Sequence, residues 1–96
     1  MRREEALRIL REHKAELDAM GISSLSLFGS VARDEAGPES DVDLLVEFAE
    51  GVDLFEFVRV RMQLEELLSR KVDLVTPGAL KRQLRDRILG EAVRAA

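Results

Sequence analysis

Apolar positions near the start of the chain recur at helical spacing: Leu7, Leu10, Leu17 and Met20 fall three or seven apart, with Ala6 and Ile9 beside them. Charged residues fill the opposite face, so the pattern predicts one amphipathic helix from about residue 3 to residue 20. Gly21 follows, where a left-handed residue stops a helix. His13, the only histidine, has no second ligand or base partner close in sequence and reads as a solvated helix-face side chain.

The period then changes from helical to alternating. Ile22, Leu25 and Leu27 against Ser23, Ser24 and Ser26 predict a strand from Ile22 to Phe28, with one break in its phase, ending at Gly29. Val31 to Ala36 suits a short helix, and Gly37-Pro38-Glu39-Ser40 a turn. Asp41 to Phe48 is the cleanest strand, with Val42, Leu44, Val46 and Phe48 on one side and Asp41, Asp43, Leu45 and Glu47 on the other. Asp53 with Glu56 forms a capping-box pattern at the head of a helix running to about Ser69. Leu54, Phe57, Val58, Leu64, Leu67 and Leu68 make that helix's apolar stripe. Lys71 to Thr76 alternates as a third strand, Pro77-Gly78 breaks the chain, and a last helix is expected over about 79–94, weakened at Gly90. The order α-β-(short α)-β-α-β-α describes a single small α/β domain over residues 1–96, without repeats or linkers.

Composition narrows the classes of function. Ninety-six residues with 46% hydrophobic and 35% charged side chains suit one globular domain with a modest core. No apolar run approaches the ~20 residues of a membrane span, and the N-terminus lacks a signal-peptide core, so a cytoplasmic protein is expected. The absence of cysteine excludes disulfides and thiolate metal sites. A formal net charge of -4, with no Tyr or Trp, argues against direct nucleic-acid binding, which calls for surplus cations or stacking aromatics.

Two local features invite chemistry. At Gly29-Ser30 a strand hands over to a helical turn, where exposed N–H groups attract anions and glycine permits close approach of a phosphate. Capping by Ser30 alone is the plainer alternative. Arg33, rather than Glu, occupies the third position after Ser30, which leans toward a bound anion, with the nearby carboxylates Asp34 and Glu35 as the alternative counter-charge. The second feature is Asp41-Val42-Asp43. Alternation aims both carboxylates the same way, roughly 7 Å apart, and folding alone gives no reason for that repulsion. With Asp73 from the third strand they make a candidate set of hard oxygen ligands for Mg2+ and a polyphosphate. Solvent-facing aspartates on an amphipathic sheet are the alternative.

Gly29-Ser30, ten intervening residues and then Asp41-x-Asp43 resemble the signature of the DNA polymerase β-like nucleotidyltransferase superfamily. The strings FGSVARDEAGPESDVDLLVEF and RKVDLVTP resemble the minimal nucleotidyltransferases in particular, and the likeness covers nearly the whole chain. It implies a small mixed β-sheet flanked by helices. It also implies an antitoxin that transfers AMP from ATP to a tyrosine of a HEPN-domain ribonuclease toxin, silencing it. By the resemblance, Gly29 and Ser30 hold the nucleotide phosphates, and Arg33, within the same matching string, makes either a phosphate contact or a structural ion pair. Asp41, Asp43 and Asp73 are the catalytic carboxylates and bind Mg2+, with Asp73 placed to act on the acceptor hydroxyl. Two departures are visible: Ser69 stands where many relatives have glycine, and the C-terminus lacks a tyrosine often found there.

Larger nucleotidyltransferases add a domain that binds the acceptor, and no residues are left here to build one, so the acceptor surface is expected from a partner or from a second copy in a homo-oligomer. Lys81, Arg82, Arg85 and Arg87 form a basic cluster on the last helix, read either as a face for a partner or ATP or as a solvated surface. Neutralisation by binding alone, and nucleotidyl transfer to a small molecule such as an antibiotic, are the competing functions.

Overall fold

A computed structural model describes all residues, 1–96. Four strands form one mixed sheet in the order β3-β2-β1-β4. β1 (Ile22–Phe28) and β2 (Val42–Phe48) are antiparallel, and β3 (Val72–Val75) joins β2 in parallel. The helices are α1 (Arg3–Glu12), α2 (Lys14–Ala19), the single turn α3 (Gly29–Ala32), α4 (Leu54–Leu68) and α5 (Arg82–Glu91). A 3-10 turn at Pro77–Ala79 follows β3. The expected α/β class and element order are therefore present, with additions at both ends of the chain.

The strand patterns explain the packing. Val42, Leu44 and Val46 are fully buried with Leu25, Leu27, Val72 and Leu74 in one cluster that also takes Leu7, Leu10, Leu17, Leu64 and Leu68 from the helices. Burial of such side chains contributes about 1.5–3 kcal/mol each. Strand parity then sends Asp43 and Asp73 to the opposite face of the sheet. The phase break in β1 is a register shift between Ile22 and Ser24, as a bulge produces. Asp53 caps α4, its Oδ1 accepting from the Glu56 N–H at 2.7 Å. Ser69, at the end of α4, takes the left-handed conformation (φ 54°) that glycine adopts more readily.

Four expectations need correction, the first being the short helix expected over Val31 to Ala36, which instead spans Gly29–Ala32 and begins directly at the end of β1. The first helix breaks at His13, whose backbone (φ -104°, ψ 24°) leaves helical geometry and separates α1 from α2. His13 is consequently half-buried, its Nδ1 2.8 Å from the Ile9 carbonyl oxygen, rather than a solvated side chain on a continuous helix face. The second strand begins at Val42, so Asp41 lies just before it. The last helix stops at Glu91: Ala92 is extended (φ -64°, ψ 135°), and Val93–Arg94 form β4, antiparallel to β1. Hydrogen bonds from Ala95 N–H to Leu25 O (2.8 Å) and from Leu25 N–H to Ala96 O (3.1 Å) extend that pairing. Edge pairing with β1 satisfies backbone groups that a continued helix would leave at the sheet margin.

Candidate active site

The site is assembled where β1 ends against the beginning of β2. Phe28 is the register partner of Asp43, and Asp43 is the register partner of Asp73. The chain must turn immediately after Phe28, and it does so with Gly29 at φ 71°. A side chain there is disfavoured twice. The backbone is left-handed, and a Cβ would overlap the Asp43 carboxylate, lying 3.0 Å from its Cγ. Gly29 thus lets the turn close directly over Asp43. Ser30 lies within the first turn of α3, not at its cap, which is Phe28. The capping reading of Ser30 does not hold.

Asp43 and Asp73 stand abreast on parallel neighbouring strands, which lie about 4.8 Å apart. Asp43 is half-buried, whereas Asp41 and Asp73 are exposed. Burial, followed by the charges of Asp73 and Asp41, pushes the Asp43 carboxyl above its ordinary value despite the opposing pull of Arg33. No three carboxylate or imidazole side chains converge tightly enough to hold a metal ion by themselves. What the sheet does provide is a set of adjacent hard oxygen donors carrying unbalanced negative charge. Such donors suit Mg2+, which keeps water and phosphate oxygens in its shell instead of an all-protein cage.

Beside the carboxylates lie the groups that attract anions. Arg33 is held by Glu35, with Nε to Oε2 at 3.1 Å, and by Glu91, with Nη1 to Oε2 at 3.0 Å and to Oε1 at 3.2 Å. These hydrogen bonds raise the Arg33 guanidinium further above its already high value. The same Glu91 Oε1 accepts the Gly29 N–H at 3.1 Å. Desolvation pushes the Glu91 carboxyl up. The Gly29 and Arg33 hydrogen bonds, with the charges of Arg33 and Arg87, outweigh it and hold the group below its ordinary value. Glu91 is the site residue that pattern reading misses. No local motif marks it, because its position depends on where α5 ends and on the pairing of β4 beyond it.

Of the basic cluster, Lys81, Arg82, Arg85 and Arg87 are all exposed, and the charge of Arg87 helps hold the Glu91 carboxyl down. Gly29, Ser30, Arg33, Asp43 and Asp73 are thus placed in one neighbourhood by the turn after β1 and the β2–β3 ladder. Asp41 sits at its rim, just before β2. The arrangement sets a main-chain N–H and a guanidinium beside two carboxylates across a glycine turn.

Comparison with known proteins gives this geometry its class. The profile of the nucleotidyltransferase domain matches residues 7–95, and the chain belongs to that family. A solved structure provisionally named a minimal nucleotidyltransferase superposes with a TM-score of 0.81 at 41% identity, covering 97% of this chain and 95% of that one. The chain is accordingly a nucleotidyltransferase of the minimal kind. Protein adenylyltransferase MntA of Thermococcus cleftensis is 42% identical over 91 residues, covering 94% of this chain and 92% of its own. A Methanocaldococcus jannaschii protein, provisionally named a protein adenylyltransferase, is 48% identical over 73 residues, 76% of this chain and 78% of its own. A toxin–antitoxin complex crystallised with AMP-PNP shares the fold, with a TM-score of 0.74 at 20% identity over 90% of this chain and 72% of that one. No helix is long and apolar enough to cross a membrane.

Proposed function

We propose that this chain is a Mg-ATP-dependent protein adenylyltransferase, acting in the cytoplasm as the antitoxin of a HEPN-domain toxin and transferring AMP to a tyrosine of that toxin. The observation that carries the reading is the Gly29 turn closed over Asp43, with Asp73 abreast of it. The 42% identity to a named protein adenylyltransferase over almost the whole chain favours a protein acceptor over a small molecule.

In this reading the Gly29 and Ser30 turn and Arg33 hold the polyphosphate. Asp41, Asp43 and Asp73 hold Mg2+, which when bound offsets charge on the phosphates and the carboxylates. The tyrosine oxygen attacks the α-phosphorus, the bond from that phosphorus to the bridging oxygen breaks, and pyrophosphate leaves. The phenolic proton passes to a carboxylate at the open face, a role this reading gives to Asp73, which is exposed to solvent. The acceptor in this reading is the HEPN toxin's tyrosine, presented to the open carboxylate face by the partner protein.

Incubation with Mg-ATP and the neighbouring HEPN protein should raise the toxin's mass by whole AMP units. The double substitution Asp41→Ala with Asp43→Ala should slow transfer by at least about a hundredfold, because it removes oxygen ligands from both ends of the Asp-x-Asp element. Toxin that never gains AMP overturns the assignment. Full neutralisation by the double variant would instead establish an antitoxin that works by binding alone.

A further inference from the structure

The donors assigned to the nucleotide phosphates already hold an anion, and it belongs to this chain. Glu91 Oε1 takes the Gly29 N–H at 3.1 Å, while both Glu91 oxygens lie within 3.2 Å of Arg33 Nη1. One carboxylate therefore bridges a main-chain donor and a guanidinium, the pair that would otherwise face a phosphate. The tether is long-range, 62 residues from Gly29 and 58 from Arg33, so it reports tertiary placement and not a local turn.

The setting of Glu91 makes it a displaceable anion. It lies at the last position of α5, a helix in which no side chain is buried. The backbone just beyond it is fixed by β4 pairing and by buried Ala95. The helix end is thus anchored while the carboxylate itself, on a side chain 24% exposed, can rotate away without unpacking the core.

We propose that Glu91 is a specificity-determining residue of the nucleotide site: an internal carboxylate that occupies the Gly29 N–H and Arg33 until a polyphosphate displaces it. This rests on the reading of Gly29 and Arg33 as phosphate donors. A ligand without phosphate at this point gains nothing by competing with Glu91, so the residue sets a threshold that only a multiply charged phosphate chain passes. Apparent affinity is reduced by the fraction of molecules in which the carboxylate is in place.

The sign of one affinity change tests the idea. Inorganic tripolyphosphate and a non-hydrolysable ATP analogue with Mg2+ are titrated calorimetrically into the parent, Glu91→Ala and Glu35→Ala. Glu91→Ala should bind both about three- to tenfold more tightly. Glu35→Ala removes the same charge from Arg33 but leaves the Gly29 N–H covered by Glu91, and should gain less. A residue that merely props up the turn would give equal or weaker binding in Glu91→Ala, which overturns the proposal; so would equal gains in both variants. If neither the parent nor either variant binds, the phosphate assignment of Gly29 and Arg33 itself falls. Circular dichroism checks folding, and Glu91→Asp, one methylene too short to reach both donors, is the substitute with the same expected sign.

Discussion

The β1–β2–β3 region and the C-terminal segment α5–β4 meet at the same site and are built on opposite terms. In the first, all the inward positions of the strands but Phe48 are buried, and the candidate carboxylates project from a frame the core has already fixed. In the second, a ten-residue helix buries no side chain, exposes Leu84 and Leu89, and reaches the site through one carboxylate. Geometry that chemistry depends on is carried by the buried ladder. The group that has to yield to a ligand is carried by the loosely packed helix.

Leucine truncation should separate the two regions most widely. Leu64 on α4 is fully buried against the sheet, so Leu64→Ala loses transfer energy and leaves a cavity, costing about 2–5 kcal/mol. Leu84 on α5 is 49% exposed, and Leu84→Ala should fall within about 0.5 kcal/mol of the parent. Urea denaturation measures both. Comparable losses would mean that α5 packs as tightly as α4, and the contrast would collapse.

The same contrast governs what pattern could reveal. Asp43 and Asp73 were placed by alternation because each lies in a strand whose neighbours are fully committed to the core, leaving their face no choice. The phase break among the serines of β1 was a readable trace of its bulge. By contrast, Ala79 to Arg94 carries a helix-forming composition with nothing buried to set its end, so the switch at Ala92 to an extended strand has no local signature. β4 exists because β1 offers it an unpaired edge, which is a tertiary fact. Glu91 was hidden for the same reason. The break at His13 belongs to this class too: amphipathic spacing continues across it, while the backbone does not.

Glycine-to-alanine substitution sharpens the comparison at smaller amplitude, with opposite signs. Gly29→Ala forces a left-handed alanine, costing about 1–2 kcal/mol from the backbone alone, before the Asp43 carboxylate is displaced. Gly90 sits inside α5 with nothing within 4 Å of the position a Cβ would take. Gly90→Ala should therefore stabilise the chain by about 0.5–1 kcal/mol through helix propensity and a less flexible unfolded state. Thermal melts read both. A destabilised Gly90→Ala would show that the end of α5 needs glycine's freedom after all.

The smallest effects come from the two carboxylates that face the site from the two regions, and they should diverge with pH. Asp43 is raised by burial, Asp73 and Asp41, so its ionisation opposes folding. Its favourable contribution is complete only below its unfolded pKa and is lost as pH rises through the folded value. Glu91 is lowered, its desolvation outweighed by the Gly29 and Arg33 hydrogen bonds and the charges of Arg33 and Arg87. Its contribution is complete above its unfolded pKa and disappears as pH falls through the folded value. At pH 7 and without Mg2+, Asp43→Asn should thus be more stable than the parent and Glu91→Gln less stable. Each difference stays within about 1 kcal/mol because both side chains keep access to water. Urea midpoints followed from pH 7 toward pH 3 should bring both variants back to the parent, Asp43→Asn as Asp43 protonates and Glu91→Gln as Glu91 does. Two variants that keep the same sign across the whole range would show that the carboxylates are not opposed, and that ladder and helix bear on the site in one way.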